Sequence, residues 1–160
     1  MTNDAWTTCD LADEHGDAAR VVPPGLCHFG GATRFAGPIE TVSCRDDNSR
    51  VREVVRTSGE GRVLVVDGAG SLASALVGDM LASAAAEHGW VGIVVHGCVR
   101  DTAILRTLDI GVMGLATNPR RSARDGIGVV GGAIDLHGVP AAPGDLLFAD
   151  SDGIVLLAAQ

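Results

Sequence analysis

Residues 62–101 read RVLVVDGAGSLASALVGDMLASAAAEHGWVGIVVHGCVRD, and both the fold and the candidate chemistry follow from how this stretch is divided. Residues 63–66 are a β-branched apolar run that stops at Asp67-Gly68-Ala69-Gly70, the pattern of a buried strand and a tight turn. The spacing after Gly78 predicts a helix over residues 79–88, with Met80, Leu81, Ala84, Ala85 and His88 on its apolar face. Asp79 stands in the first turn, where a carboxylate suits the positive end of the helix dipole, and Gly89 provides the stop. Residues 91–95 predict a second buried strand, and residues 97–101 leave its far end.

The lengths bring the ends together. A helix of about ten residues runs roughly 15 Å, and the following strand, at about 3.3 Å per residue, returns over a similar distance. Arg100 and Asp101 are therefore expected beside Gly78 and Asp79, with the turn at residues 67–70 at the same edge if the two strands are parallel. Ligands in open α/β sheets bind beyond the carboxyl ends of strands. Two aspartates, one arginine and the leading helix amides define a candidate site there. The competing reading of Asp79, Arg100 and Asp101 is a structural ion pair at a strand end.

The chain has 160 residues, 46% of them hydrophobic, with 22 glycines, two Trp, three Phe and no Tyr. A single domain over residues 1–160 is expected, with a core of Val, Leu, Ile and Ala. The net charge of −8 offers no basic stripe for phosphates, so direct nucleic-acid binding is not expected. Cys9, Cys27, Cys44 and Cys98 show no paired spacing, and neither a leader nor a membrane-length apolar run stands out. A reduced, cytoplasmic, membrane-free setting without disulfides is expected. All twelve basic residues are arginine. Without lysine there is no Schiff base and no phosphate-loop lysine, so carbonyl chemistry needs another electron sink, such as a metal ion.

Outside the central stretch, residues 8–14 predict a short capped helix. Residues 21–25 read as a connector, and a loop around Thr33-Arg34-Phe35 lies between Phe29-Gly30-Gly31 and Gly37-Pro38. Residues 39–44 alternate as a half-buried strand, and Asp46-Asp47-Asn48 opens a helix with Val51, Val54 and Val55 inside. Residues 102–108 predict a short helix and 110–115 a strand. Residues 117–124 form a locally basic loop carrying Arg120, Arg121 and Arg124. Its plain reading is a solvated loop; a subunit contact or steering of anionic substrates is the alternative. The closely spaced turns that follow predict antiparallel pairing, so a parallel α/β unit is joined to a β-rich C-terminal part.

Several motifs read as turns. Gly68-Ala69-Gly70-Ser71-Leu72-Ala73 fits the loose G-x-G-x-x-A dinucleotide pattern, yet the acid expected after the next strand is missing, so neither NAD nor S-adenosylmethionine is expected. Asp150-x-Asp152-Gly153 begins like a calcium loop but lacks the glutamate at its twelfth position. His15, His28, His88, His96 and His137 show no metal-ligand spacing, and His88 reads as a core or cap residue.

On Phe29-Gly30-Gly31, residues 35–39, residues 63–68, Gly78-Asp79, residues 97–101, Pro143-Gly144-Asp145 and Asp150-x-Asp152-Gly153-Ile154, the chain resembles the family of regulators of ribonuclease E activity A (RraA) and 4-hydroxy-4-methyl-2-oxoglutarate aldolases. Asp79, twenty residues, then Arg100-Asp101 matches the D-x20-R-D signature of the aldolase branch. The resemblance implies an α/β fold of the three-layer β/β/α swivelling-domain type, with a parallel central sheet and an antiparallel second sheet. It implies homotrimers, sometimes paired into hexamers, with the site near a subunit boundary. It implies that Gly78, Asp79, Met80, Leu81 and Arg100 bind the pyruvyl part of a small 2-oxo acid. Asp101 would hold a divalent cation, Mg²⁺ or Mn²⁺. Asp79, Arg100 and Asp101 would be the catalytic set of a metal-dependent lyase that cleaves 4-hydroxy-4-methyl-2-oxoglutarate or decarboxylates oxaloacetate through a pyruvate enolate. The alternative it carries is a non-catalytic regulator that binds a ribonuclease E-type protein partner; such members need no intact D-x20-R-D set. A menaquinone methyltransferase role, a label also used in this family, is not expected without an S-adenosylmethionine site.

Overall fold

The computed structural model describes residues 5–160. In chain order the elements are α1 (Thr8–His15), β1 (Arg20–Val21), β2 (Cys27–His28), β3 (Phe35–Ser43), α2 (Ser49–Val54), β4 (Val63–Asp67), β5 (Ala75–Val77), α3 (Asp79–Glu87), β6 (Gly92–Val99), α4 (Thr102–Leu105) and β7 (Gly111–Thr117). They are followed by β8 (Val129–Val130), β9 (Ile134–Leu136), β10 (Val139–Ala141), β11 (Leu146–Ala149) and β12 (Ile154–Leu157). The expected mixed α/β architecture is present. Its two sheets form one curled sheet in the order β1-β12-β11-β3-β4-β6-β7-β2, with β9 and β10 as a separate antiparallel pair.

The curl is made by β3. Its first half pairs antiparallel with β11, from Phe35↔Ala149 to Pro38↔Leu146. Its second half runs parallel to β4, from Ile39↔Val63 to Ser43↔Asp67. The strand therefore begins at Phe35, earlier than the alternation at residues 39–44 indicated. Gly37 and Pro38, read as loop punctuation, are paired strand residues.

Because β4 is buried on both faces, its side chains divide between two cores. Leu64 and Val66 pack with Val51, Val54, Val55, Leu81, Ala82 and Ala85 beneath the helices. Val63 and Val65 pack with Ile134, Leu136, Leu147 and Leu156 on the other side. Ile93 and Val95 against Val94 repeat this division on β6. The result is a helix layer, a parallel sheet and an antiparallel β layer.

Two expectations in the central stretch are corrected. In α3 the buried residues are Leu81, Ala82 and Ala85, whereas Met80 is 74% exposed and His88 is exposed. His88 is the C-cap, with Nδ1 2.7 Å from the Ala84 carbonyl oxygen. The inward face is rotated because the first turn of α3 lies at the sheet edge, where Met80 has no layer above it. Strand β6 runs to Val99 rather than stopping at Val95, with a register irregularity between Val95 and Cys98 that Gly97 accommodates. This extension is paired by β5, a strand that the sequence did not suggest.

The turn Asp150-x-Asp152-Gly153 anchors α1. The Asp150 carboxylate accepts hydrogen bonds from the Thr8 amide (2.8 Å), the Thr8 hydroxyl (2.6 Å) and the Asp152 amide (2.9 Å). Burial alone would raise the carboxyl, but these bonds outweigh it and hold Asp150 below its ordinary range. A depressed carboxyl contributes stability above its unfolded value and loses it as the pH falls through the folded one. Asp150→Asn is expected to cost about 1–3 kcal/mol at neutral pH. The gap from the parent protein should close as the pH falls through the depressed value, read from urea unfolding at a series of pH values.

Phe35 lies across Gly92 and Gly111, which are paired on β6 and β7, and a methyl group at either glycine would overlap its ring. Gly111→Ala should destabilise by about 1–3 kcal/mol through overpacking. The loss should shrink in a Phe35→Leu background, a coupling measurable by a double-mutant unfolding cycle.

Candidate active site

Strands β5 and β6 are parallel, with Val77 opposite Val99, and the Arg100 amide extends the ladder by donating to the Val77 carbonyl at 3.0 Å. The chain leaves β5 through Gly78 into α3 and leaves β6 through Arg100 and Asp101 into α4. Two adjacent strand ends thus deliver Gly78, Asp79, Arg100 and Asp101 to one place. The turn after β4 does not join them: Asp67 is level with His96, four residues short of Arg100, which is roughly 13 Å along a strand.

The contacts are close. Asp101 Oδ2 lies 3.4 Å from the Asp79 amide and 3.8 Å from Arg100 Nε. The Met80 amide donates to Asp79 Oδ1 at 2.9 Å. The first two amides of α3, expected to face a ligand, are therefore occupied by carboxylates standing where a bound anion would stand. A Cβ on Gly78 would fall 2.6 Å from Asp101 Oδ2 and 3.3 Å from Arg100 Cγ, so any larger residue here would push the Asp101 carboxylate and the Arg100 stem from their present places. Asp101 has φ 58° and ψ 39°, a left-handed conformation that costs a non-glycine residue of order 1–2 kcal/mol. It opens α4 without a side-chain cap, so its carboxylate is not used to hold the helix.

These residues line a cleft whose other wall comes from α2 and the loop before β8: Asn48, Arg52, Arg56, Arg121, Ser122 and Arg124. The loop is fixed at several points. Ser122 N donates to the Ala75 carbonyl at 3.2 Å, Ala123 N to that of Asp46 at 2.8 Å, and Asp125 N to Asp47 Oδ2 at 2.6 Å. Burial opposes the charge on Asp47, but bonds from Ser49, Asp125 and Ile127 outweigh it and lower its carboxyl. The expected solvated basic loop is thus tied along one edge of the cleft. Arg52 and Arg56 are the cleft residues that the sequence reading missed, although their separation by one helical turn was a usable signal.

A larger recess of about 330 Å³ opens between α1, β2 and β12. It is mainly apolar, contains no arginine and lies away from the D-x20-R-D residues. The four cysteines are free; Cys44 is pushed up to about 12, first by burial and then by Asp47, Asp67 and Asp46, which leaves it an inert thiol. His96 Nε2 is 3.2 Å from His137 Nδ1, outside the cleft. Among the described residues no three His, Cys, Asp or Glu side chains are grouped to hold a metal ion. The donor set still fits a hard divalent cation, since Mg²⁺ takes one or two protein carboxylates and fills its shell with water and substrate. Asp101, whose carboxylate caps no helix, is the residue that would supply it.

Residues 7–156 match the family model described as RraA-like, Aldolase/RraA. The chain belongs to the Aldolase/RraA family. A Xanthomonas campestris pv. campestris (strain B100) relative is 51% identical over 154 residues, 96% of this chain and 92% of that protein. A Laribacter hongkongensis relative is 50% identical over 150 residues, 94% of each. Both carry provisional names as 4-hydroxy-4-methyl-2-oxoglutarate aldolases. Among solved structures, the RNA-processing inhibitor RraA from Thermus thermophilis superposes with TM-score 0.93 at 45% identity, covering 96% of this chain and 93% of that one. A Geobacillus kaustophilus protein described as an S-adenosylmethionine:2-dimethylmenaquinone methyltransferase gives TM-score 0.94 at 41% identity, covering 97% and 96%. The Aldolase/RraA fold is therefore shared by proteins described as enzymes and as a regulator. Among the described residues no helix is long and apolar enough to cross a membrane.

The left-handed backbone at Asp101 separates stability from function. Asp101→Gly is expected to match or exceed the parent thermal stability, and Asp101→Ala to fall about 1 kcal/mol below Asp101→Gly. Calorimetric unfolding of the three proteins checks the order.

Proposed function

We propose that the cleft is the active site of a divalent-cation-dependent carbon–carbon lyase that cleaves 4-hydroxy-4-methyl-2-oxoglutarate and decarboxylates oxaloacetate by the same route. The observation that carries this reading is the meeting of Asp79, Arg100 and Asp101 at two adjacent strand ends over Gly78. The names of the relatives support it. The reading takes the protein as a cytoplasmic homotrimer or a pair of trimers, in keeping with the exposed Met80, Ile127 and Val129.

Arg100 clamps the carboxylate of the pyruvyl half through two parallel charged hydrogen bonds. The amino end of α3 faces the same group with its positive dipole, once the Asp101 oxygen turns aside from the Asp79 amide while the Met80 amide stays on Asp79. Asp101 would hold Mg²⁺ or Mn²⁺, and the bound cation would supply positive charge to stabilise the electrons released from the carbon–carbon bond. Asp79 moves the proton. Its Oδ1 is tied to Met80, and its other oxygen accepts the proton of the substrate's 4-hydroxyl. The O–H electron pair becomes the new carbonyl, the C3–C4 pair moves onto the pyruvyl half, and a proton returned to C3 completes two molecules of pyruvate. With oxaloacetate the C4 carboxylate departs as carbon dioxide and C3 is protonated in the same way.

A second reading, a protein regulator of a ribonuclease E-type enzyme, rests on the description of the Thermus structure as an RNA-processing inhibitor. The intact D-x20-R-D set favours the enzyme.

Pyruvate release from oxaloacetate with Mg²⁺ or Mn²⁺, corrected for the cation alone, is the direct test. Activity should vanish in EDTA and fall about a hundredfold or more in Asp101→Asn, and comparably in Arg100→Lys, whose single ammonium cannot form the paired clamp. Normal turnover by Asp101→Asn would overturn the site assignment. An inactive but well-folded oligomer would turn the question to the regulator.

A further inference from the structure

Five of the chain's twelve arginines line this one cleft, in a protein of net charge −8. Two acids, Asp79 and Asp101, face them. Arg100 is the cleft arginine with a carboxylate neighbour, Asp101 at 3.8 Å. Arg56 donates to the Arg52 carbonyl at 2.6 Å. The guanidinium groups of Arg52, Arg121 and Arg124 have no hydrogen bond or ion pair among the described residues. Outside the cleft, Arg20 pairs with Asp145 (2.9 Å), Arg50 with Glu53 (2.7 Å) and Arg62 with Glu40 (3.5 Å), whereas Arg45, Arg106 and Arg120 are exposed and dispersed; what sets the cleft apart is that its cations are gathered on one wall.

The backbone that carries this group is fixed, although the side chains of Arg121 and Arg124 are exposed. Arg52 is half-buried on α2, and Arg124 stands on the loop pinned to Asp46 and Asp47. Desolvation, then the charges of Arg124 and Arg56, lower Arg52 from its ordinary value, the mark of cations crowded without a counterion. A fold with twenty acids has left this wall uncompensated, facing Arg100 and Asp101.

We propose that Arg52 and Arg124 form a second anion subsite that binds the distal carboxylate of the substrate and restricts the enzyme to 2-oxo acids carrying two acid groups. The proposal rests on the lyase reading above. Arg100 takes the carboxylate next to the oxo group, and the wall of α2 and the loop takes the one that leaves with the other fragment. The chemistry adds a consequence. In aldol cleavage the distal carboxylate stays charged, so a cation on it does not oppose the reaction. In decarboxylation that group becomes neutral carbon dioxide, and a cation gripping it holds back its departure. The subsite therefore favours aldol cleavage over decarboxylation.

The test compares 4-hydroxy-4-methyl-2-oxoglutarate with 4-hydroxy-4-methyl-2-oxopentanoate, in which a methyl group replaces the distal carboxylate. In Arg52→Gln/Arg124→Gln, kcat/KM for the dianion should fall about tenfold to a hundredfold, the worth of one or two charged hydrogen bonds. That for the monoanion should change less than about threefold, and decarboxylation of oxaloacetate should fall far less than aldol cleavage. Arg52→Lys/Arg124→Lys, which keeps the charge, should recover part of the discrimination and shows that the loss is not one of folding. Equal losses on both aldol substrates, or none on either, would overturn the subsite while leaving the lyase reading intact. If the parent protein turns over neither substrate, the lyase reading fails, and calorimetric binding decides the subsite. Preference for 2-oxoglutarate over 2-oxopentanoate, abolished in the glutamine variant, would uphold it; equal binding would overturn it.

Discussion

The pairing of β5 with the end of β6 is the constraint on which the rest depends. Three residues of β5 pair the edge of β6 that β4 leaves open beyond His96, while β7 holds the other edge. They also set the exit of one strand beside the exit of the other. Since Gly78 carries no side chain, a backbone turn and a carboxylate share the space a methyl group would fill. Asp101 then has to turn back through a left-handed conformation, which places its carboxylate over the amino end of α3 instead of capping α4. Strand pairing, a missing Cβ and one strained aspartate are three expressions of a single requirement, that two chain ends meet within hydrogen-bond reach.

Much of this was legible in the sequence. Residues 63–66 announced a buried strand because both faces of β4 meet apolar layers, which leaves a continuous β-branched run. The juxtaposition of Asp79 with Arg100-Asp101 was also legible, though partly for the wrong reason. The arithmetic of helix out and strand back assumed a strand ending at Val95. The true strand is longer, and a short strand before the helix compensates. Residues 75–77 gave no alternation to read, because Ala-Leu-Val is buried on both sides and too short to show a period. Residues 96–99 were hidden by Gly97, whose place is explained by a register irregularity visible only once neighbouring strands are known. The inward face of α3 was misjudged at Met80 because helical periodicity reports which residues share a face, not where the covering layer stops.

The arginine wall illustrates a further limit. Arg121 and Arg124 lie more than sixty residues from Arg52 in sequence, so no local pattern joins them. Parallel hydrogen bonding of the loop to Ala75 and its bonds to Asp46 and Asp47 join them in space. Asp47 is buried at that junction with its charge satisfied by backbone and hydroxyl donors, and so it fixes the loop without pairing with an arginine of the wall.

That distinction bears on why the cleft contains arginine and the protein no lysine at all. An ammonium is a strongly hydrated point charge, whereas a guanidinium is weakly hydrated and presents donors in a rigid fork. Crowding several cations on one wall is less costly when each is poorly hydrated and already oriented, and the arrangement then suits carboxylates at two ends of a small molecule. The electrostatic penalty of the crowding is felt at Arg52, which burial and then Arg124 and Arg56 lower from its ordinary value. On the subsite proposal an anion would relieve it, and repulsion that weakens the free protein would become differential affinity for a doubly charged ligand.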